Sequence, residues 1–217
     1  MAKTTIAVID YGMGNIHSVA SALVNVAPES NVKISADPEV ILAADKVIFP
    51  GVGAIGHCMT VIRRLQLDQL VPELVAEGKP LLGICVGMQL LLNHSQENGG
   101  VDCLGLFAGE ARLFDSNAVD SNGDKLKVPH MVWNSVDQSV DHPLWQGIQN
   151  NSRFYFVHSY YVDADNAAEV MGVCLYGDKR FAAALCRDNL VAVQFHPEKS
   201  HTTGLQFLKN FIEWEGM

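Results

Sequence analysis

The stretch LLGICVGMQLL, residues 81–91, allows few folds. Gly83, Cys85 and Gly87 interrupt a run that is otherwise apolar, where a buried strand or helix prefers larger side chains. Glycine lets the backbone pass close to other atoms and adopt positive φ, so Gly-x-Cys-x-Gly reads as a tight turn. Pro80 to Ile84 suit a short buried strand, and Met88 to Leu92 suit the first turns of a helix. A sharp strand-to-helix turn with a nucleophile at its apex is the elbow of Gly-x-Ser-x-Gly hydrolases, here with sulfur in place of oxygen. A helix start behind the sulfur favours the reactive thiolate. The competing reading of these residues is a small buried cysteine in a packing contact that glycine relieves.

The surrounding chain supplies a frame for such a turn. TIAVID (5–10), NVKIS (31–35), KVIFP (46–50) and PLLGI (80–84) read as strands, and residues 15–27 and 59–77 show helical spacing. This βαβα rhythm predicts an α/β fold with an open, mostly parallel sheet flanked by helices. From about residue 105 the texture turns to short strands and turns, so antiparallel strands are expected in the second half. FYFVHSYYV (154–162), EVMGVCLY (169–176), RFAAALC (180–186) and LVAVQF (190–195) read as strands, SNAVDSNGDKL (116–126) as an exposed loop and TGLQFLKNFIEW (203–214) as a closing helix. No repeat or linker divides residues 1–217, which predicts a single domain.

Charge and cysteine usage exclude several classes. The formal net charge of −9, with no basic run to offset it, argues against nucleic-acid or anionic-membrane binding. The amino terminus reaches Asp10 after a very short apolar run, unlike a signal peptide, and no apolar stretch approaches the ~20 residues of a membrane span. The five cysteines are scattered and odd in number, with no C-x-x-C pair, which points to a reducing cytoplasm and to no disulfide framework or thiolate zinc site.

Sites in open parallel sheets lie at the carboxyl ends of strands. Three loops qualify: DYGMGN (10–15), PGVG (50–53) and the turn at Cys85. The first suggests a dinucleotide loop with Asp37 as a ribose-binding acid, but His17 stands where the third glycine belongs. A cysteine nucleophile needs a base, and the base an orienting group. VQFHPEKSH (193–201) offers His196 and Glu198 at the end of an apolar strand. Residues i and i+2 of extended chain share a face, and Pro197 restricts itself and its predecessor to that geometry. The alternatives are a solvated strand end, or a zinc site built from His196, Glu198 and His201. For a developing oxyanion, the Val86 N–H after the nucleophile is one donor, and the peptide between Gly51 and Gly53 offers another.

GICVGMQ, PGVG and HPEKS together resemble the triad glutamine amidotransferases of class I. DYGMGN, PHMVWN (129–134) and YFVHSYY (155–161) narrow the resemblance to the glutaminase subunits of imidazole glycerol phosphate synthases, from residue 6 to the carboxyl terminus. The resemblance implies the flavodoxin-like fold of that class, with Cys85 as nucleophile, His196 as base and acid, and Glu198 as its orienter. It implies that Gly53, Gln89, Ser159 and Tyr160 contact substrate glutamine, and that Val52 and Val86 supply the oxyanion N–H groups. Asn15, Trp133, Asn134, Tyr155 and Lys199 are expected to face a partner, a (β/α)8 cyclase that receives the ammonia in a heterodimer of histidine biosynthesis. No cofactor or metal is implied. Val86 and Val132 depart from the pattern, where relatives more often carry leucine and glycine, and residues 114–126 form a longer segment with no implied role. The rival readings are a glutaminase serving another synthase, such as that of pyridoxal phosphate, a free-standing cysteine or zinc hydrolase, and a non-catalytic module on the same fold.

Overall fold

In the computed structural model, which describes residues 3–119 and 123–216, the apolar runs of the first half become parallel strands. β1 (Thr5–Ile9), β2 (Asn31–Ser35), β3 (Lys46–Gly51) and β4 (Leu81–Cys85) alternate with α1 (Ile16–Val26), α2 (Pro38–Leu42), α3 (Ile55–Arg64), α4 (Leu67–Ala76) and α5 (Val86–Leu90). β3 and β4 are buried along their whole length and β1 along all but its first residue, the pattern of parallel strands covered on both faces. α1 turns Ile16, Val19, Ala22 and Leu23 inward, a spacing that fits one face of a 3.6-residue period. Asp37 caps α2 by accepting the Glu39 N–H at 3.0 Å, so its carboxylate serves a helix start and not a nucleotide ribose.

The second half adds β5 (His94–Ser95), β6 (Val101–Asp102), β7 (Gly109–Leu113), β8 (His130–Ser135), β9 (Asp137–Gln138), β10 (Arg153–His158), β11 (Tyr160–Ala164), β12 (Val170–Tyr176), β13 (Lys179–Arg187), β14 (Leu190–Val193) and α6 (His201–Glu213). The large sheet runs β2-β1-β3-β4-β14-β13-β11-β7-β5-β6, with β12 pairing β13 and β9. Its β2-β1-β3-β4-β14 portion is parallel, and β13, β11 and β7 continue it antiparallel. β8 and β10 form a separate antiparallel pair. The expected α/β class with a mixed second half is therefore borne out.

Three expectations need correction. The helix expected over 59–77 starts earlier and is broken in two, because Gln66 takes a left-handed conformation at φ 57 between α3 and α4. The single strand expected over 154–162 splits at Ser159: β10 pairs with β8, whereas β11 joins the large sheet. The closing helix starts earlier than expected, at His201. Within the 116–126 loop, Val119 bridges Lys125, and residues 120–122 lie outside the described residues. Among the described residues, no helix is long and apolar enough to cross a membrane.

An aromatic cluster anchors the chain just past β14. Phe195 is fully buried and stacks on Phe154 of β10 at 4.1 Å, with Phe207 of α6 against it at 5.5 Å. Burying one such ring contributes roughly 2–3 kcal/mol, enough to fix where the next residue, His196, emerges.

Candidate active site

Cys85 sits where β4 ends and α5 begins, at φ 56 and ψ −112. This is a sparsely populated conformation for a residue with a side chain, and one that costs on the order of 1–3 kcal/mol. Close packing explains why the turn is held. A Cβ on Gly87 would lie 2.0 Å from the Phe49 carbonyl oxygen, so only glycine lets α5 lie against β3. Gly51 is paired with Cys85 across β3 and β4, which brings the PGVG loop beside the sulfur. Gly53 has φ +92, in the left-handed region that favours glycine. The Cys58 thiol, pushed up to about 11 chiefly by burial, keeps its proton and donates to the Val52 carbonyl at 3.6 Å.

His196 and Glu198 come together at the neighbouring strand end. His196 is extended, but Pro197–Lys199 forms a 3-10 turn, so the pair meets across a turn and not along an extended strand as its spacing suggested. Pro197 occupies the first position of that turn, where its missing N–H has no bond to lose. The turn is bolted to β10: the His196 N–H donates to the Tyr155 carbonyl at 2.9 Å, the Tyr155 N–H donates to Ser200 Oγ at 3.0 Å, and Ser200 Oγ donates to the His196 carbonyl at 2.6 Å. His196 Nδ1 lies 2.9 Å from Glu198 Oε1, with the two side chains 3% and 1% exposed. The carboxylate fixes the proton on Nδ1 and leaves Nε2, buried and without a hydrogen-bond partner, for Cys85. Burial alone pushes the imidazole down, but Cys85 and Glu198 on its two sides outweigh it and raise it to about 10.

Cys85 and His196 open into one cavity of about 350 Å³. Val52, Gly53, Val86, Gln89, Ser159 and Tyr160, all singled out in the sequence, line it. Glu97 lines it too, and no sequence signal marks it; it follows α5 in a polar tract with no distinguishing motif, and its Oε2 accepts the Ile55 N–H at 3.0 Å. A carboxylate at this wall suits a ligand bearing an ammonium group.

The five residues expected to face a partner are less uniform. Trp133 stacks on His201 at 4.8 Å with ring planes 8° apart and meets Tyr155 edge-on at 6.0 Å. Lys199 lies 5.9 Å from the Tyr155 ring, and that ring lies 6.3 Å from the imidazole of His196. These side chains form a surface next to the catalytic candidates. Asn15, at the start of α1, accepts from Ser18 Oγ at 2.7 Å, and Ser18 shares a groove with Lys199 and His201. Asn134 differs: its amide donates to the Leu175 carbonyl at 2.8 Å and meets His130 Nε2 at 3.2 Å. Val132 pairs with Phe156 in regular strand, so valine is accommodated there without a special backbone. The alternative zinc set does not assemble, since His201 is stacked on Trp133 and no group of three or more metal-ligating side chains converges among the described residues.

A thiol and an imidazole in one cavity, with a carboxylate behind the imidazole and two backbone turns beside the sulfur, are the parts needed for acyl transfer through a covalent intermediate. Comparisons with known proteins bear on this arrangement. The family described as glutamine amidotransferase class-I matches residues 7–214. The chain is 58% identical over 212 residues to the imidazole glycerol phosphate synthase subunit HisH of Pseudomonas putida, covering 98% of each chain. It is 52% identical to the protein of the same name from Nitrosococcus oceani, covering 99% of each. Among solved structures, the fold is similar to PurLQS from Thermotoga maritima, at a TM-score of 0.71 and 16% identity, covering 98% of this chain and 97% of that one. A structure described as a glutamine amidotransferase gives a TM-score of 0.68 at 18% identity, covering 98% and 99%.

Proposed function

We infer from the glutamine amidotransferases of class I, the family to which this chain belongs, that it hydrolyses glutamine to glutamate and ammonia in histidine biosynthesis. It is the glutaminase subunit of an imidazole glycerol phosphate synthase, as relatives matched end to end at 58% and 52% identity are named. Those names disfavour a glutaminase serving pyridoxal phosphate synthase. The whole of residues 1–217 acts as one amidotransferase domain, in the cytoplasm, and its partner is a (β/α)8-barrel cyclase that takes the ammonia within a heterodimer. Neither nucleic acid nor membrane is a partner, in keeping with a net charge of −9.

Cys85 attacks the side-chain amide carbon of glutamine. The oxyanion receives N–H groups from Val86 and from the Val52 peptide, and His196 passes a proton to the departing ammonia. Water, activated by the same imidazole, then hydrolyses the thioester and expels the Cys85 thiolate. Glu198 holds the imidazole through Nδ1 in both halves. Gly53, Gln89, Ser159 and Tyr160 contact the substrate, and Glu97 receives its ammonium. Asn15, Trp133, Asn134, Tyr155 and Lys199 lie towards the cyclase.

The observation that carries this reading is the meeting of a strained Cys85 and a carboxylate-held His196 in one cavity. Its test is a complex of Cys85→Ala with the cyclase. Glutamine-dependent synthesis is expected to vanish, while synthesis from added ammonia at alkaline pH persists. Glutamate release by that variant overturns the assignment of the nucleophile.

A further inference from the structure

Gln194, fully buried directly after β14, has no part in the scheme above. Its side-chain amide lies between two groups of the site. Nε2 donates to Cys85 Sγ at 3.9 Å, and Oε1 accepts from Gln89 Nε2 at 2.9 Å. Gln89 gives its other amide hydrogen to the Tyr160 carbonyl at 3.0 Å, and that carbonyl also accepts from His158 Nδ1 at 2.7 Å. Further back, His158 Nε2 meets His130 Nδ1 at 2.9 Å, and His130 Nε2 meets Asn134 Nδ2 at 3.2 Å.

One arrangement of protons satisfies every link. The Tyr160 carbonyl can only accept, so it faces the NH2 of Gln89 and not its oxygen. Both hydrogens of Gln89 are then committed, and its oxygen is left as an acceptor on a residue that lines the cavity. Gln194 must present its own oxygen to Gln89, which turns its NH2 towards the sulfur. A flip of Gln89 sets oxygen against oxygen, and a flip of Gln194 sets its NH2 against that of Gln89 and its oxygen against the sulfur. The sulfur also lies 3.9 Å from the Val157 carbonyl, a contact that suits a thiol but repels a thiolate. The amide N–H of Gln194 has the opposite preference.

We propose that Gln194 is a further catalytic residue, donating an amide hydrogen to the Cys85 sulfur whenever that sulfur carries negative charge, and that Gln89 and the Tyr160 carbonyl hold its amide in that sense. The step is needed twice, at attack on the amide and at expulsion of the thiolate from the thioester. The proposal rests on the reading of Cys85 as the nucleophile.

The test is Gln194→Met, which keeps length and removes the donor, with Gln194→Leu as the second variant if the first does not fold. Alkylation of Cys85 by iodoacetamide is followed by peptide mass mapping. Burial pushes the other thiols up, Cys58 and Cys186 to about 11 and Cys103 and Cys174 to about 12, so they react little at neutral pH. Alkylation at pH 7 is expected to slow about fivefold or more, with the two rates within about twofold of each other at pH 10. In the complex with the cyclase, kcat for glutamine is expected to fall about tenfold or more, with KM changed less than about threefold. A merely loosened site alkylates faster at both pH values, and a bystander leaves the rates unchanged; either result overturns the proposal. Cys85→Ala separates the two failures. Glutaminase activity in that variant refutes the underlying reading, whereas an inactive Cys85→Ala beside an unaltered Gln194→Met refutes this proposal alone.

Discussion

Lowering the pH from 7.5 to 5 is expected to destabilise the fold through two buried histidines behind the site. His130 and His158 are 0% and 6% exposed and packed among the rings of Phe114, Phe156 and Phe181. Burial pushes His130 down to about 4, and burial together with the charge of His130 pushes His158 down to about 3. The hydrogen bonds give the reason in atomic terms. His158 Nδ1 donates to the Tyr160 carbonyl, so Nε2 must accept from His130 Nδ1. A proton added to that Nε2 sets two N–H groups against each other across 2.9 Å.

Both folded values lie below the ordinary 6.5, so the unfolded chain takes up protons first and stability falls as pH drops through 6.5, levelling off only near 3. At pH 5 each histidine has removed roughly 2 kcal/mol. His196 works the other way: raised to about 10, its contribution is complete below 6.5 and is lost as pH rises towards 10, so it returns about 1 kcal/mol over the same interval. A net loss of about 3 kcal/mol is a large part of the roughly 5–15 kcal/mol typical of a domain. Urea unfolding at pH 7.5, 6 and 5, with NMR titration of the imidazoles, measures both quantities. Stability independent of pH over this range, or a His158 ring titrating near 6.5, refutes the reasoning.

Three further outcomes are expected. Glu198→Gln should retain about a hundredfold more glutaminase activity than Cys85→Ala or His196→Ala, because an orienting group contributes less than nucleophile or proton carrier; equal inactivity in steady-state assays counts against that division of roles. Gly87→Ala drives a methyl group into the Phe49 carbonyl and should lower Tm by roughly 5–10 °C together with activity, as calorimetry and glutamate release would show; a wild-type Tm removes the close-packing account of the elbow. Lys199→Ala should reduce the stimulation of glutaminase activity by cyclase plus ligand more than it weakens complex formation, since Lys199 contacts the ring of Tyr155 beside His196; titration calorimetry with assays at saturating partner separates the two, and a loss confined to binding sinks the coupling role.

The legible part of this site is the part made by local chain geometry. Gly83, Cys85 and Gly87 suggest a tight turn because three alternate positions in an apolar run are small, where a strand or helix of the core prefers larger side chains. The continuous apolar runs of β1, β3 and β4 likewise locate the buried parallel strands with little ambiguity. Glu97 and Gln194 are opaque for the opposite reason. Glu97 stands in a polar tract with no motif, and Gln194, although two residues before His196, has a spacing that assigns it no role; each acquires meaning only when the strands bring distant segments to one cavity. Ser159 shows the intermediate case: its strand-like neighbours on both sides conceal the break that sends β10 and β11 into different sheets.

The HPE turn is legible in its partners and not in its backbone. Extended spacing puts His196 and Glu198 on one face, and an extended His196 followed by a 3-10 turn also brings their side chains together, so the two-residue spacing alone does not separate the two backbones. What separates them is Ser200, whose hydroxyl ties the turn to Tyr155 and whose role no local pattern discloses.

Several departures from the local rules of protein structure gather around Cys85. Among the described residues, the buried side-chain atoms without a hydrogen-bond partner are Tyr11 Oη, Asp68 Oδ1, His196 Nε2 and Glu198 Oε2. Two belong to the proposed triad. A third, Tyr11 Oη, lies under the PGVG loop, where a Cβ on Gly51 would come within 2.6 Å of it. The positive φ of Cys85 adds backbone strain within the same few residues of paired strand. Tyr11 and His196 each face a thiol, Cys58 and Cys85 respectively, so these polar groups look towards the cavity wall and not to partners in the surrounding fold. The imidazole nitrogen that lacks a partner is the one a leaving ammonia would need, and the strained residue is the one that would bond to substrate. Close packing holds the turn, and the groups it holds there have the distribution expected of groups kept open for a substrate.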